Sequence, residues 1–369
     1  MLFYIILFTI FLFLSFGDLT NLNKKNKIRI FRISIVIWII LGSIRFETGT
    51  DWAQYYNYFM DNDTYDEFLN AGSGLINYEY GYIMLNYLIK QFSDSYHIFL
   101  LVMTSLICVL KYKATLKISP FPLITLGCWF AYSFGNIFSI RQDIAIAITL
   151  FSICAIQERK CKEFVVLVIL ATFFHRSSIC FLPAYWIYHS SFSIKRWSLI
   201  FIGAILIGYF DLVVKGITAM AGVDLSLMSK FLAYADGSGE TYGANIDAGT
   251  RGALSLLKKG WVIFAYILVR GYIHSSKQNK EKYDGLLNLS CFSFMIAALF
   301  MNVPEISMRF TAYYALIDIY TIPFIFLATK NINQKIVIWI FIIGYCAVKY
   351  TYQILNMTDA FIPYTTNLF

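Results

Sequence analysis

Apolar runs of membrane length recur along the whole chain, and short segments carrying lysine or arginine separate many of them. The runs fall near residues 2–17, 29–44, 96–112, 121–138, 141–157, 196–214, 252–273, 285–303, 309–328 and 335–354. At about 1.5 Å per residue, roughly 20 residues cross the hydrocarbon core of a bilayer, so each run reads as one upright or tilted helix. Inside lipid a single run of this length satisfies its own backbone only as a helix. The pattern therefore predicts an all-α, polytopic integral membrane protein with about 11–12 transmembrane or re-entrant helices. Composition agrees, since 59% of the 369 residues are hydrophobic and only 14% are charged, more apolar than a water-soluble core requires. No linker rich in Pro, Gly or Ser divides the chain, which predicts a single polytopic domain over 1–369.

The first segment, MLFYIILFTIFLFLSFG, has no basic stretch before it and no small-residue cleavage site after it, and the cluster NLNKKNKIRIFR follows. It reads as a retained first helix and not as a signal peptide. A net charge of +8 raises the question of nucleic acid, but the lysines lie in short loops and form no basic domain, so they are expected to set topology instead. The seven cysteines stand singly without a CxxC pair, so neither a disulfide framework nor structural zinc is expected. G-x-S-x-G, HExxH and P-loop motifs are absent from the sequence, and the usual hydrolase and ATPase signals go with them.

The basic segments are 24–32, 111–117, 159–162, 195–196, 277–282 and 330–335. Placing all of them in the cytoplasm puts the N-terminus outside. It also requires residues 163–190 to cross and return, because Arg159 and Lys160 must share a face with Lys195 and Arg196. The stretch ATFFHRSSICFLPAYW is then a broken hairpin of short arms, with His175 and Arg176 near its outer turn and a bend at Pro183. One continuous helix over 164–188 would instead export Lys277, Lys280, Lys282, Lys330 and Lys335. The segment INYEYGYIMLNYLIKQF, broken by Glu79, Gly81, Asn86 and Lys90, is expected to lie in the interface or to re-enter it. The long outer loops are 45–95 and 215–251.

On this topology the unusual polar residues gather on one side. The stretch IRFETGTDWAQYYNYF places Arg45, Glu47 and Asp51 just past a helix end, among aromatic rings suited to a sugar phosphate. FGNIFSIRQDIAIA sets Arg141, Gln142 and Asp143 at a helix start, where backbone N–H groups favour an anion. Asp143 also reads as a partner of Arg141 or a cap of its own helix. Arg176, Arg251 and Arg309 add cations to the same side, and Glu305 stands near the last of them. Arginine holds phosphate bidentately at any physiological pH, so Arg45, Arg141, Arg176, Arg251 and Arg309, with Gln142, are the expected substrate-binding residues. His175 has the intrinsic pKa of a general base, with Asp51 and Glu47 as competitors; a hydrogen-bonded histidine that merely stabilises the hairpin is the plainer reading. Asp61-Asn62-Asp63 has the DxD spacing of a metal site, but it lies in an acidic surface run, and neither a metal nor a cofactor is expected.

IRFETGTDWAQYYNYF, NYEYGYIMLNYLI, SIRQDIAIAITLFSI, LATFFHRSSICFLP, RFTAYY and the closing FIPY occur in that order from about residue 40 to the end. In this series the chain resembles the EpsG-like family of membrane polysaccharide-assembly proteins, relatives of the Wzy-type O-antigen and capsule polymerases. GTDW departs from the aspartate-tyrosine more usual there, but an aromatic still fills the place. The resemblance implies a glycosyltransferase-C-like or Wzy-like architecture in the bacterial inner membrane. It also implies an inverting glycosyltransferase that joins undecaprenyl-diphosphate-linked oligosaccharide repeat units on the periplasmic face. Its partners would be those lipid-linked oligosaccharides, membrane lipid and a chain-length regulator protein, with no nucleic acid. A lipid-linked oligosaccharide flippase and an O-antigen ligase-type transferase are the alternatives.

Overall fold

The computed structural model describes residues 1–73, 78–138, 141–219, 248–273 and 276–367. The chain divides into two compact units, Met1–Leu182 with Ile322–Phe369, and Pro183–Thr321. Among the described residues four helices are long and apolar enough to cross a membrane: Leu2–Leu19, Tyr96–Ile118, Gly249–Arg270 and Ile332–Asn356. The pair Pro304–Ala315 and Asp318–Ala328, bent by 43°, adds a fifth if it is one broken span. The other expected runs are helical too. Lys24–Ile44 and Lys277–Leu299 open on charged turns, and Arg141–Gln157 and Ile194–Tyr209 have only 17 and 16 residues. The chain is an all-α, multi-pass membrane protein.

The first unit contains α1 (Leu2–Phe16), α2 (Lys24–Ile44), α3 (Trp52–Met60), α4 (Tyr65–Ser73), α5 (Tyr80–Lys90), α6 (Tyr96–Ile118), α7 (Pro122–Ser133), α8 (Arg141–Gln157) and α9 (Cys161–Thr172). It also contains a 3₁₀ turn, Arg176–Phe181, and the long helix Ile332–Asn356, besides shorter turns. Its centre is aromatic: Trp38 lies 4.9 Å from Trp129, and Phe11 lies 5.0 Å from Trp38 and 4.6 Å from Phe130. Lipid tails are as apolar as these rings, so close packing and a few interhelix hydrogen bonds hold the bundle. Trp339 donates to Ser15 at 2.9 Å, Tyr350 to the Tyr4 carbonyl at 3.1 Å, and Gln353 to the Ala131 carbonyl at 3.2 Å.

The two ends of this unit differ in charge. At one end the buried Asp18 carboxylate accepts the N–H groups of Leu123 and Ile124 at 2.6 and 2.9 Å, capping α7 from across the bundle, with Lys27 at 3.6 Å. Lys117 and Lys160 both pair with Glu158 there, at 3.1 and 2.9 Å. This bond between the C-terminal ends of α6 and α8 makes the two helices parallel. The opposite end therefore holds the starts of α6 and α8 and, through the His97 to Ser43 carbonyl bond of 2.8 Å, the end of α2.

Residues 163–182 break and turn back as expected and do not run on as one long helix. After α9 the backbone leaves the α-helix at Phe173, turns into the 3₁₀ segment, and brings the Phe181 ring to 6.2 Å from Phe164 near the start of α9. The helix α10 (Ala184–His189) begins immediately after Pro183. The loop 45–95 folds into α3, α4 and α5, and α5, with 11 residues, spans only about 16 Å. One boundary differs from the sequence reading: α6 continues to Ile118, so Lys111, expected in a basic loop, is inside the helix at 0% exposure.

The second unit packs α10, α11 (Ile194–Tyr209) and α12 (Leu212–Ala219) with the helices Ala248–Arg270, Lys277–Leu299 and Pro304–Ala315. Trp197 donates to Asn288 at 2.8 Å, Asn288 donates to the Ser190 carbonyl at 2.7 Å, and Arg270 grips Asp284 with two bonds of 2.6 and 2.8 Å. Most of the outer loop expected at 215–251 lies outside the described residues.

Candidate functional site

The less basic end of the first unit carries the candidate site. Arg141 opens α8, and its Nη1 bonds Glu79 Oε2 at 2.5 Å. Its guanidinium lies 4.8 Å from the centre of the Tyr78 ring, and Tyr55 accepts a further hydrogen bond from it. The sequence suggested Asp143 as its partner; the structure supplies Glu79 instead, from a segment 62 residues earlier. The second carboxylate oxygen of Glu79 accepts the backbone N–H of Arg176 at 3.1 Å. One buried carboxylate thus ties the start of α8 to the turn of the broken hairpin. Gly81 completes this join, since its N–H donates to the Phe173 carbonyl at 2.7 Å and a Cβ would stand 2.6 Å from that oxygen. Only glycine lets the two backbones meet so closely.

His175 caps the 3₁₀ turn, and its Nδ1 lies 2.6 Å from Ser177 Oγ, which fixes the ring. Arg176 is exposed, whereas Arg141 keeps only 20% of its side chain accessible. Gln142 follows on α8, partly accessible. A small cavity beside Arg141 is lined by Tyr55, Tyr82, Tyr96 and Thr104 among apolar side chains. Burial pushes the Tyr55 phenol up to about 12 even though Arg141 pulls it down, so this hydroxyl stays protonated and can also donate a hydrogen bond.

Arg45 approaches the same group from the end of α2 at 2% exposure, donating to the Thr48 carbonyl at 3.1 Å. Burial pushes its pKa down, and Tyr96, Tyr364 and Asp143 act in the opposite sense. Its loop is clamped by the C-terminal segment. β1 (Arg45–Phe46) pairs antiparallel with β2 (Thr365–Thr366), Gly49 N–H donates to the Ala360 carbonyl at 2.6 Å, and Tyr364 donates to the Leu41 carbonyl at 2.5 Å. The FIPY motif is therefore part of this end, with a cis bond between Ile362 and Pro363. Glu47 and Asp51 are both exposed and both in the left-handed region, with φ of 47° and 58°. The charge of Asp51 reaches Tyr55 and Tyr78, which places it on the Arg141 side of the loop.

The first unit thus brings Arg45, Glu47, Asp51, Arg141, Gln142, His175 and Arg176 to one end. Arg251 and Arg309 belong to the second unit, on the helices Ala248–Arg270 and Pro304–Ala315, and Arg309 is exposed. The sequence did not single out Glu79 or the tyrosines as members of this cluster; the signal was a carboxylate interrupting an apolar, tyrosine-rich run. Asp61-Asn62-Asp63 is occupied by helix capping. Thr64 and Glu67 exchange hydrogen bonds at the start of α4, Glu67 also accepts Asp63 N–H at 2.8 Å, and Asn62 is buried with its amide on the Tyr58 carbonyl. Among the described residues no group of three or more His, Cys, Asp or Glu side chains is placed to hold a metal ion.

An almost wholly helical chain with several membrane-length apolar helices, and with arginines, a histidine and tyrosines collected at one end of its first unit, defines a multi-pass integral membrane protein. The family model of the EpsG family matches residues 28–366, and the chain belongs to that family of membrane polysaccharide-assembly proteins. No curated protein and no solved structure matches the chain.

Proposed function

We propose that the chain is a polysaccharide polymerase of the O-antigen or capsule type, an inverting glycosyltransferase acting on undecaprenyl-diphosphate-linked repeat units at the periplasmic face of the bacterial inner membrane. The observation that carries this reading is the convergence of Arg141, Arg176 and Arg45 with His175 at one end of a membrane bundle. In the reaction, a hydroxyl of the acceptor's terminal sugar attacks the anomeric carbon of the donor. The new glycosidic bond forms as the bond to the diphosphate oxygen breaks, and the configuration inverts. The leaving group is a diphosphate anion, which needs fixed positive charge more than it needs an acid.

Arg141 and Arg176 have the access to hold that diphosphate directly, while buried Arg45 contributes its field across the loop. His175, oriented by Ser177, takes the hydroxyl proton, with Asp51 and Glu47 as the alternative bases. Arg251, Arg309 and Gln142 are proposed to bind the remainder of the donor or acceptor. The reaction calls for no nucleotide sugar and, in this reading, no metal.

The test is elongation by the purified protein in lipid nanodiscs supplied with lipid-linked repeat units. A ladder of products is expected from the wild type. Arg141→Ala and His175→Ala should each lower the rate by about 100-fold or more, the scale of losing one electrostatic or acid–base group. Transport of the lipid-linked unit without bond formation would establish the flippase reading instead, and a single transfer to a different acceptor would establish the ligase.

A further inference from the structure

Lys111 has no part in the chemistry proposed above, yet it lies inside the α6 span at 0% exposure. An ammonium at such depth is costly to hold and is normally kept for a specific task. Its Nζ donates to Asn136 Oδ1 at 2.7 Å and lies 5.5 Å from the centre of the Trp129 ring. The same oxygen accepts Trp129 Nε1 at 2.7 Å. Asn136 closes a break in the bundle. α7 stops at Ser133, and Phe134, Gly135 and Asn136 follow with φ of 51°, 65° and 62°. Left-handed conformations are unfavourable for L side chains and persist where the surroundings impose them. Trp38 covers Gly135 on one side, and Cys108 Sγ lies 3.7 Å from its carbonyl on the other.

The break leads straight to the arginine end. Phe138, two residues on, packs 4.9 Å from Phe361 and stands 3.6 Å from where a Cβ on Gly49 would lie. That same point is 2.6 Å from Arg45 Nη1. Contact therefore runs from Lys111 to Asn136, along the chain to Phe138, and across Gly49 to Arg45. Asp143 acts electrostatically on both Lys111 and Arg45.

We infer that Lys111 is a positioning residue: its ammonium pins the break at 134–136 and, through Phe138, fixes the 45–51 loop that carries Arg45, Glu47 and Asp51. Its value to activity rests on the proposed function, but the positioning is measurable without it. The experiment is hydrogen–deuterium exchange on the full chain in lipid nanodiscs, for the wild type, Lys111→Met, Asn136→Gly and the double variant. Undecaprenyl diphosphate binding is measured on the same samples.

Lys111→Met is expected to speed exchange about tenfold in peptides covering Gly49 and Thr365, whose amides are bonded within the clamp, and to leave Leu123 and Ile124 at the Asp18 end unchanged. Asn136→Gly should act alike, and the double variant should add nothing further. Undecaprenyl diphosphate should bind about tenfold more weakly to each variant. Unchanged exchange at Gly49 and Thr365 overturns the inference. So does an equal rise at Leu123 and Ile124, which would mark a lysine that merely stabilises the unit, and so do additive effects of the two substitutions. A wild type that binds no lipid diphosphate defeats the proposed function, while the exchange pattern still decides the role of Lys111.

Discussion

Replacing Glu79 by methionine isolates the bond on which the candidate site is built. The carboxylate side chain is 8% exposed, holds Arg141 at 2.5 Å and accepts the Arg176 N–H at 3.1 Å. Removing one partner of a buried ion pair costs about 3–5 kcal/mol, and an unsatisfied buried N–H adds about 1 kcal/mol. Arg141 is one-fifth exposed and keeps Tyr55 and Tyr78, so water and the rings recover part of the loss. Glu79→Met should therefore destabilise the first unit by about 2–4 kcal/mol. The double variant Arg141→Met with Glu79→Met leaves no orphaned charge and should lie within about 1–2 kcal/mol of the wild type, because a buried pair exchanged for apolar side chains is often neutral. The assay is denaturant titration in mixed micelles followed by tryptophan fluorescence, run on both singles and the double. If the double variant is as unstable as the two singles added together, the residues are not coupled and the geometry argued here is wrong.

Gly49→Ala should disrupt the Arg45 loop, because φ is +111° and the new Cβ would meet Arg45 Nη1 at 2.6 Å; a loss of about 1–2 kcal/mol with a larger drop in elongation is expected, read by thermal denaturation and the product ladder. Asp18→Ala uncaps α7 at the far end and should cost about 2 kcal/mol while leaving elongation per folded molecule unchanged. The Asp63 and Thr64 amides hold the Glu67 carboxyl below its ordinary value. A depressed carboxyl contributes stability that is complete above the unfolded pKa and fades as pH falls through the folded one. The start of α4 should thus fray only as pH falls below the ordinary range of a glutamate carboxyl, seen by NMR at the Thr64 amide, and Glu67→Gln should remove that pH dependence while Glu67→Ala frays the turn at every pH.

The all-α multi-pass class, the hairpin break and the end at which Arg45, Arg141 and His175 meet were legible because lysine bias and apolar run length act locally along the chain. Of the about 11–12 helices expected, however, only four, or five with the bent pair, are long and apolar enough to span among the described residues. Partners were not. Glu79 looked like an interruption in residues 76–92, and nothing within the sequence says that α8 begins beside it. The capping box at Thr64 and Glu67 was present as a spacing but was hidden by the DxD spelling next to it. Lys111 was assigned to a loop because the apolar run ends near residue 112; the helix goes nearly two turns further, to Ile118, and packs against α8. The Phe361 to Tyr364 segment was recognisable only through the family resemblance, since its function is to clamp a loop more than 300 residues earlier.

Arg45, Arg141 and Arg176 differ in what they can offer the diphosphate of the proposed substrate. Arg176 is exposed, and solvent and salt screen its charge. Arg141 is already neutralised by Glu79, so an anion that binds it has to compete for the Nη1 bond or share the guanidinium edge. Arg45 is buried and so loses little of its field to water: at an effective dielectric of about 20, a unit charge roughly 8 Å away is worth about 2 kcal/mol. Attraction by Arg45 should therefore survive salt that weakens contact with Arg176. Glu79, bonded to Arg141, opposes the pull of that guanidinium on an anion, and Asp143 acts on Arg45 in the same way; on the proposed function this keeps the resting site from trapping the diphosphate product too tightly. On the proposed polymerase reading one lipid diphosphate is released per cycle, which needs that balance, and Glu79→Gln should shift it toward tighter product binding and slower turnover. Equal or weaker product binding in Glu79→Gln would show that the carboxylate only fixes Arg141 and does not compete with the substrate.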